Sequence, residues 1–168
     1  GYGPLKKQLL TYLPHFGFSP RFEEILPITG STQGGDLLFK ALLDPGEVVL
    51  VEDPTFMGMT QAMRLYQATL VPVQSDGEGI LIDALETLMQ TRSPKLLYVI
   101  PTFQNPTGRT LGIGRRQEIA RLAAKYGVVV LEDDPYRDLR YTGEALPSIK
   151  AFDEAGFVVH LSSFSKLI

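Results

Sequence analysis

The sequence has 168 residues, of which 44% are hydrophobic and 21% charged, with a net charge of −3 and no cysteine. These values predict one globular core of ordinary size, and they exclude binding of nucleic acid or membranes through a basic surface. Disulfides are impossible, and because we find neither a signal peptide nor an apolar run long enough to span a membrane, we expect a cytoplasmic protein.

Short β-branched runs alternate with amphipathic stretches along the chain, which is typical of an α/β fold with a sheet covered on both faces. Residues 1–22 contain three prolines and are predicted to be an irregular approach segment, followed by one large domain over 23–168. Strands are predicted at 25–29, 48–52, 69–73, 95–100, 128–131 and 157–161, and helices at 32–43, 57–67, 83–89 and 114–126.

Local signals at the helix ends sharpen these assignments. Asp83 is predicted to cap the third of these helices, and Gly127 to end the fourth. Three arginines, Arg109, Arg115 and Arg116, are interpreted as a solvated helix start, and His160 as a packed core residue within the last strand. The two histidines of the chain are far apart and have no ligand-spaced partners, so no metal site is predicted.

Unusual polar loops follow five of the predicted strands. They occupy residues 30–34, 53–56, 101–108, 132–136 and 162–166. In open α/β sheets, ligands bind outside the carboxyl ends of the strands, so we expect these loops to meet at one rim.

The first of these loops, over 30–34, is a candidate anion site. Small and hydroxyl residues at a helix start expose backbone N–H groups, and we take Ser31 and Thr32 as phosphate contacts. An ordinary helix cap explains the same pattern equally well. In the second loop, Phe56 has a flat face that could stack on a pyridine ring, although a phenylalanine is more often a core residue.

Two further loops carry groups suited to a pyridine ring. A carboxylate such as Asp133, at the end of an apolar strand, needs a partner, and a protonated pyridine nitrogen is a suitable one. Asp134 competes for this role, and a simple surface turn is the alternative. Tyr136 and the Asn105 amide could both reach a phenolic oxygen, while Asn105–Pro106 is also a turn that could hold a cis peptide.

Lys166 closes the hydroxyl-rich run that follows the last predicted strand. If the strand and loop desolvate its ammonium, the pKa falls and the amine can attack a carbonyl, with Ser163 and Ser165 beside it as anion contacts. A nucleophilic amine next to an anion site suits an aldehyde cofactor that carries a phosphate, namely pyridoxal 5′-phosphate (PLP). Taken alone, a solvated surface lysine is the simpler interpretation.

Together, the loops resemble the large domain of fold-type I PLP-dependent aminotransferases of class I/II. The segments 97–108 and 131–137, which read LYVIPTFQNPTG and LEDDPYR, are especially similar to the kynurenine/2-aminoadipate aminotransferase branch. The resemblance implies a three-layer α/β/α sandwich with a mostly parallel sheet and a homodimer with active sites at its interface. It also implies ping-pong transfer of an amino group from an amino acid to a 2-oxo acid.

The resemblance also implies a role for each candidate residue. Lys166 would form a Schiff base with the cofactor and move the substrate Cα proton, and Asp133 would pair with the ring nitrogen because the family pattern Asp-x-x-Tyr ends at Tyr136. The phenolic oxygen would contact Tyr136 and Asn105. The remaining roles are ring stacking by Phe56 and phosphate binding by Ser31, Thr32, Ser163 and Ser165.

Two other functions of the same fold stay open at this stage. One is the effector-binding domain of a MocR-type transcription regulator, and the other is a PLP-dependent lyase or decarboxylase. We expect the chain to be part of a longer protein, with the small domain and the carboxylate-binding arginine after Ile168, and we expect the piece alone to be inactive.

Overall fold

The computed structural model describes residues 1–167 and contains one main sheet. The strands described are β1 (Val48–Val51), β2 (Thr69–Pro72), β3 (Ser75–Asp76), β4 (Gly79–Ile80), β5 (Leu96–Val99), β6 (Val129–Asp133) and β7 (Val158–Leu161). Within these residues, five strands pair in the order β2-β1-β5-β6-β7, and every pairing is parallel. The two remaining strands, β3 and β4, form a small antiparallel hairpin.

Helices cover both faces of this sheet, so the predicted α/β/α sandwich is confirmed. The helices described are α1 (Gly3–Tyr12), α2 (Ser31–Leu42), α3 (Met57–Leu65), α4 (Ile82–Arg92) and α5 (Ile113–Tyr126). Because side chains alternate along a strand, Leu50 and Leu97 pack on the α4 and α5 side, whereas Val49 and Leu96 pack on the α2 and α3 side. Strand β5 is fully buried, as expected for a parallel strand covered on both faces.

The prediction of a strand at 25–29 is wrong. Its apolar residues do not join the sheet, because Thr29 donates its backbone N–H to the Gln33 side chain of α2 rather than to a neighbouring strand. Ile25 is nevertheless buried, so the apolar pattern correctly predicted burial but wrongly predicted pairing with a neighbouring strand.

The irregular structure predicted for residues 1–22 is also wrong in part, since residues 3–12 form α1. Pro4 lies in the first turn of this helix, where its missing N–H costs no hydrogen bond. A second error concerns Asp83, which lies in the first turn of α4, while Leu81 occupies the capping position. Gly127 does end α5 in the left-handed conformation, with a φ of 67°.

The core interpretation of His160 is confirmed. The side chain is 5% exposed, its Nδ1 lies 3.1 Å from the Glu132 carboxylate, and its ring contacts those of Phe16 and Phe18. Within residues 1–167, no helix is both long and apolar enough to cross a membrane.

Candidate active site

The carboxyl ends of the parallel strands form one rim, and most of the predicted site residues follow these ends. Phe56 follows β1, Asn105 follows β5, Asp133 ends β6, and Lys166 follows β7. The register Asp133↔Leu161 sets the end of β6 beside the end of β7. A parallel sheet therefore places the carboxylate, the amide and the lysine loop at the same edge.

Asp133 is a buried carboxylate with one oxygen bonded and the other free. Asp133 is 3% exposed, and its Oδ2 accepts a hydrogen bond of 2.8 Å from the Tyr98 hydroxyl. Its Oδ1 is buried and accepts no hydrogen bond from any described residue. Burial raises the pKa of Asp133 to about 6, so the group is still mostly ionised at neutral pH. A buried carboxylate oxygen without a donor fits a cationic N–H group from a ligand.

The neighbouring Asp134 lies on the other side of the sheet. Strand alternation puts it on the side of Glu132, and its pKa is raised to about 6 by burial and then by the Glu132 carboxylate, while Arg116 lowers it. Asp133 instead shares a face with Tyr98 and Leu131 of the α2–α3 core. Of these two neighbouring carboxylates, Asp133, which the pattern Asp-x-x-Tyr favours, is therefore the one that faces the side where Tyr136 packs.

Tyr136 and Asn105 meet at the rim. The Asn105 amide Nδ2 donates to the Tyr136 hydroxyl at 3.3 Å, joining the loop after β5 to the loop after β6. Since the Tyr136 oxygen accepts this bond, its own proton remains available to a ligand oxygen. The Asn105–Pro106 peptide is cis, and so is Asp53–Pro54.

Gln104 holds the Asn105 loop and was missed at the sequence level. Its Nε2 donates to the Pro54 carbonyl at 2.7 Å, and its Oε1 accepts from both the backbone N–H and the hydroxyl of Thr107. The side chain thereby ties the loop after β5 to the loop after β1. A polar residue next to asparagine and proline gives only a turn signal in sequence, so these partners could not have been foreseen.

Phe56 lies at the start of α3 and covers Gly58. A Cβ placed on Gly58 would lie 2.6 Å from the Phe56 Cζ, so only glycine leaves room for the ring in this position. Phe56 is partly exposed and packs against the same core cluster as Tyr136. The arrangement leaves part of the aromatic ring on the side of the sheet that carries Asp133.

The start of α2 approaches the end of β7 closely. A Cβ on Gly34 would lie 2.6 Å from Leu161 Cδ1, so glycine is what permits this approach. No side chain of the described residues caps the helix, and Gly30 precedes it with a φ of 100°. The uncapped first turn, with Ser31 partly exposed and Thr32 exposed, is therefore beside the strand that leads to Lys166.

The lysine loop agrees with the prediction in position but not in burial. Ser163 Oγ lies 2.6 Å from Ser165 Oγ, so the two hydroxyls form a pair directly before Lys166. Lys166 itself is exposed, and the predicted desolvation by the strand and loop is therefore wrong for the described chain. Val158 and Leu161 of β7 are buried, but Val159 is exposed and so are the loop residues 164–166.

Arg116 is not a solvated residue, as the sequence suggested, but is fully buried. Its guanidinium donates to the carbonyls of Leu111, Pro147 and Pro101 and to the Thr102 hydroxyl. Two of these acceptors stand at the two ends of the segment 101–111. Arg116 therefore braces the loop that carries Asn105, a role that an isolated arginine in a helical pattern cannot reveal.

The comparisons with known proteins agree with this geometry. The family profile described as aminotransferase class I and II matches residues 6–168, and the chain belongs to this family. It is 42% identical to the 2-aminoadipate transaminase of Thermus thermophilus, covering 100% of this chain and 42% of that protein. It is 36% identical to aromatic-amino-acid aminotransferase 1 of Thermococcus litoralis, again covering 100% of this chain and 42% of the relative.

Solved structures give the same result. The kynurenine aminotransferase of Pyrococcus horikoshii, crystallised with PMP, superposes with a TM-score of 0.93 at 37% identity, covering 100% of this chain and 43% of that one. The alpha-aminoadipate aminotransferase of Thermus thermophilus gives a TM-score of 0.91 at 40% identity with the same coverage. The chain thus spans about two fifths of the length of the relatives it matches.

Proposed function

We propose that the protein containing this chain is a PLP-dependent aminotransferase that moves an amino group from an amino acid to a 2-oxo acid. The observation that carries the proposal is the buried Asp133 carboxylate, whose Oδ1 has no donor among the described residues. It stands at the same rim as the Asn105–Tyr136 pair and the lysine loop. The matched structures described above contain PMP or a phosphopyridoxyl amino acid, which is the chemistry that this rim suits.

The contacts support one role for each ring-binding residue. Asp133 Oδ1, which has no donor among the described residues, would accept the hydrogen bond of the protonated ring nitrogen, and its negative charge would keep that proton in place. Tyr136 would donate its free proton to the phenolic oxygen, with Asn105 holding the hydroxyl. Phe56, which packs against the same core cluster as Tyr136, would stack on the ring face. When bound, PLP supplies an electron sink for negative charge at the substrate Cα.

The phosphate-binding roles fall to the two hydroxyl-rich segments. Ser31 and Thr32 lie in the uncapped first turn of α2, whose N–H groups and dipole favour an anion. Ser163 and Ser165 are paired in the loop after β7. Gly34 brings that helix start against Leu161, the last residue of β7, so both segments can hold one phosphate.

Lys166 is the remaining group of the proposal. Its amine would bind the cofactor aldehyde and later take and return the proton at the substrate Cα. Because Lys166 is exposed in the described chain, we infer that the bound cofactor and further protein would enclose it.

The two alternatives are not favoured. The relatives named above are all aminotransferases rather than transcription regulators or lyases. For the substrate, we infer an aromatic or 2-aminoadipate-type amino donor, because those are the names of the relatives that cover the whole chain. A panel of amino acids added to the full-length protein tests this, since a true donor bleaches the visible band of the cofactor.

A homodimer and a cytoplasmic location also belong to the proposal. Several large apolar side chains are exposed, including Leu26 at 65%, Met57 at 67% and Leu65 at 81%, and a second subunit could cover them. Sedimentation equilibrium of the full-length protein would test the dimer, and a monomer at every concentration would refute it. Cell fractionation would test the location.

The decisive experiment is Lys166→Ala in the full-length protein. We expect loss of the visible cofactor band that the lysine linkage produces, together with loss of amino-group transfer. Lys95→Ala is the matched control, because Lys95 precedes β5 at the opposite rim and, among residues 1–167, its ammonium pairs with the Glu47 carboxylate alone. Turnover retained by Lys166→Ala, or lost equally in the control, would refute the assignment.

A further inference from the structure

Tyr98 has no role in the function proposed above, yet its hydroxyl is hydrogen-bonded to the Asp133 carboxylate. Tyr98 is 0% exposed in the middle of β5, and its hydroxyl donates to Asp133 Oδ2 at 2.8 Å. This bond joins side chains of two adjacent strands inside the core. The buried hydroxyl is therefore satisfied by a charged acceptor.

The sheet register fixes this contact. Tyr98 stands opposite Leu131, and Asp133 lies two residues further along β6 on the same face. The Tyr98 side chain spans this diagonal, since its hydroxyl reaches Asp133 Oδ2 at 2.8 Å. Since the ring is enclosed in the core cluster of Val49, Leu96 and Leu131, the hydroxyl has little freedom to turn elsewhere.

We propose that Tyr98 is a positioning residue, which holds the Asp133 carboxylate by Oδ2 so that Oδ1 is left to bind the ring nitrogen of PLP. The inference rests on the proposed function and deepens it. Without the phenol, Asp133 would keep two buried oxygens without donors, and the carboxylate could rotate or take up a proton. Either change would weaken the ion pair with the ring nitrogen.

The surrounding charges give the expected pH dependence. Burial raises the pKa of Asp133 to about 6, the Tyr98 hydrogen bond lowers it, Asp134 raises it and His160 lowers it. Burial raises the pKa of Tyr98 far above its ordinary value, and Asp133, Glu52 and Tyr136 raise it further. Tyr98 therefore stays a donor at every relevant pH, and its removal raises the pKa of Asp133 towards neutrality.

The experiment is Tyr98→Phe in the full-length protein, which removes one hydroxyl and keeps the ring. PLP affinity is measured from the visible absorbance of the bound cofactor at several pH values, beside thermal unfolding of the apo protein. Tyr66→Phe is the matched control, because the Tyr66 hydroxyl also donates to an aspartate, Asp36 Oδ1 at 2.7 Å, but on the surface between α2 and α3.

We expect Tyr98→Phe to weaken PLP binding by about tenfold near neutral pH, the size of one lost hydrogen bond to a charged group. The loss should grow as the pH falls, because more of the Asp133 carboxyl is then protonated. Tyr66→Phe should leave the affinity unchanged. In an Asp133→Asn background, Tyr98→Phe should have little further effect, since the pair acts as a unit.

Three results would overturn the inference. The first is an affinity for PLP that Tyr98→Phe leaves within about twofold of wild type, which is below the cost of such a bond. The second is a loss of equal size at every pH, since a purely structural defect would produce it. The third is an undiminished effect in the Asp133→Asn background. Wild-type protein that binds no PLP would instead refute the proposed function.

Discussion

Arg116 offers the sharpest test of how the rim is held together. Its guanidinium makes four hydrogen bonds of 2.8 to 3.1 Å from a fully buried position. Arg116→Lys keeps the charge but replaces the planar guanidinium, which donates in several directions, with a single ammonium on a shorter side chain. At least two of the buried acceptors, such as the Pro101 and Leu111 carbonyls, would lose their donor.

The expected cost is about 3–6 kcal/mol of unfolding free energy, since two hydrogen bonds from a charged donor are lost and each contributes about 1.5–3 kcal/mol. It would be measured by urea unfolding followed by circular dichroism on the full-length protein. Hydrogen exchange of the peptide covering residues 101–111 would locate the effect, because these amides should lose protection first.

Arg121→Lys is the matched control on the same helix. Arg121 pairs with Glu118 on the surface at 2.8 Å, and its side chain is 51% exposed. We expect this change to cost at most about 0.5 kcal/mol. If Arg116→Lys cost no more than Arg121→Lys, the hydrogen bonds seen around Arg116 would not brace the loop, and the reasoning would be refuted.

Three further predictions follow from other parts of the chain. Burial raises the pKa of Glu52 to about 7 from an ordinary value of 4.5, so the folded state binds the proton more tightly and stability falls as the pH rises from about 4.5 to about 7. Glu52→Gln should remove this fall of about 3 kcal/mol in urea titrations, and an unchanged pH profile would contradict it. Asp153→Ala should lower the free energy of unfolding by about 2–3 kcal/mol in the same assay, because the Asp153 carboxylate accepts hydrogen bonds from three backbone N–H groups at the start of β7. A loss below about 0.5 kcal/mol would refute this. Gly34→Ala should push α2 away from Leu161 and so weaken PLP binding, which is measured by the absorbance of the bound cofactor. A variant that binds PLP with wild-type affinity would contradict the proposed phosphate site.

Much of the fold could be predicted from the sequence, because its strands carry a strong local signal. The runs that became β1, β5 and β6 are apolar without alternation, and a chain can bury such runs only in a sheet covered on both faces. Residues 25–29 show a limit of this reasoning. Their apolar pattern predicted that Ile25 is buried. Whether the segment pairs with the sheet as a strand or only packs against the protein depended on its contacts with α2.

The candidate site shows the same division. Loop positions at strand ends were predictable, because parallel strands bring their carboxyl ends to one rim, and the residues Asn105 and Tyr136 do meet there at 3.3 Å. The partners Gln104, Tyr98 and Arg116 were not predictable. Each makes its contacts with groups remote in sequence, and nothing in its local pattern distinguishes it from a turn, core or surface residue.

The sequence by itself determined the class of fold and the order of the polar loops, since burial patterns and turn residues act over a few neighbours along the chain. Burial and turn patterns do not separate Asp133 from Asp134, and the sequence chose Asp133 only through the family pattern that ends at Tyr136. The tertiary structure supplies the physical difference, because the alternation of β6 and its register with β5 turn Asp133 towards Tyr98 and Asp134 towards the opposite face. A difference of one residue reverses the face, and only pairing with the neighbouring strand fixes it.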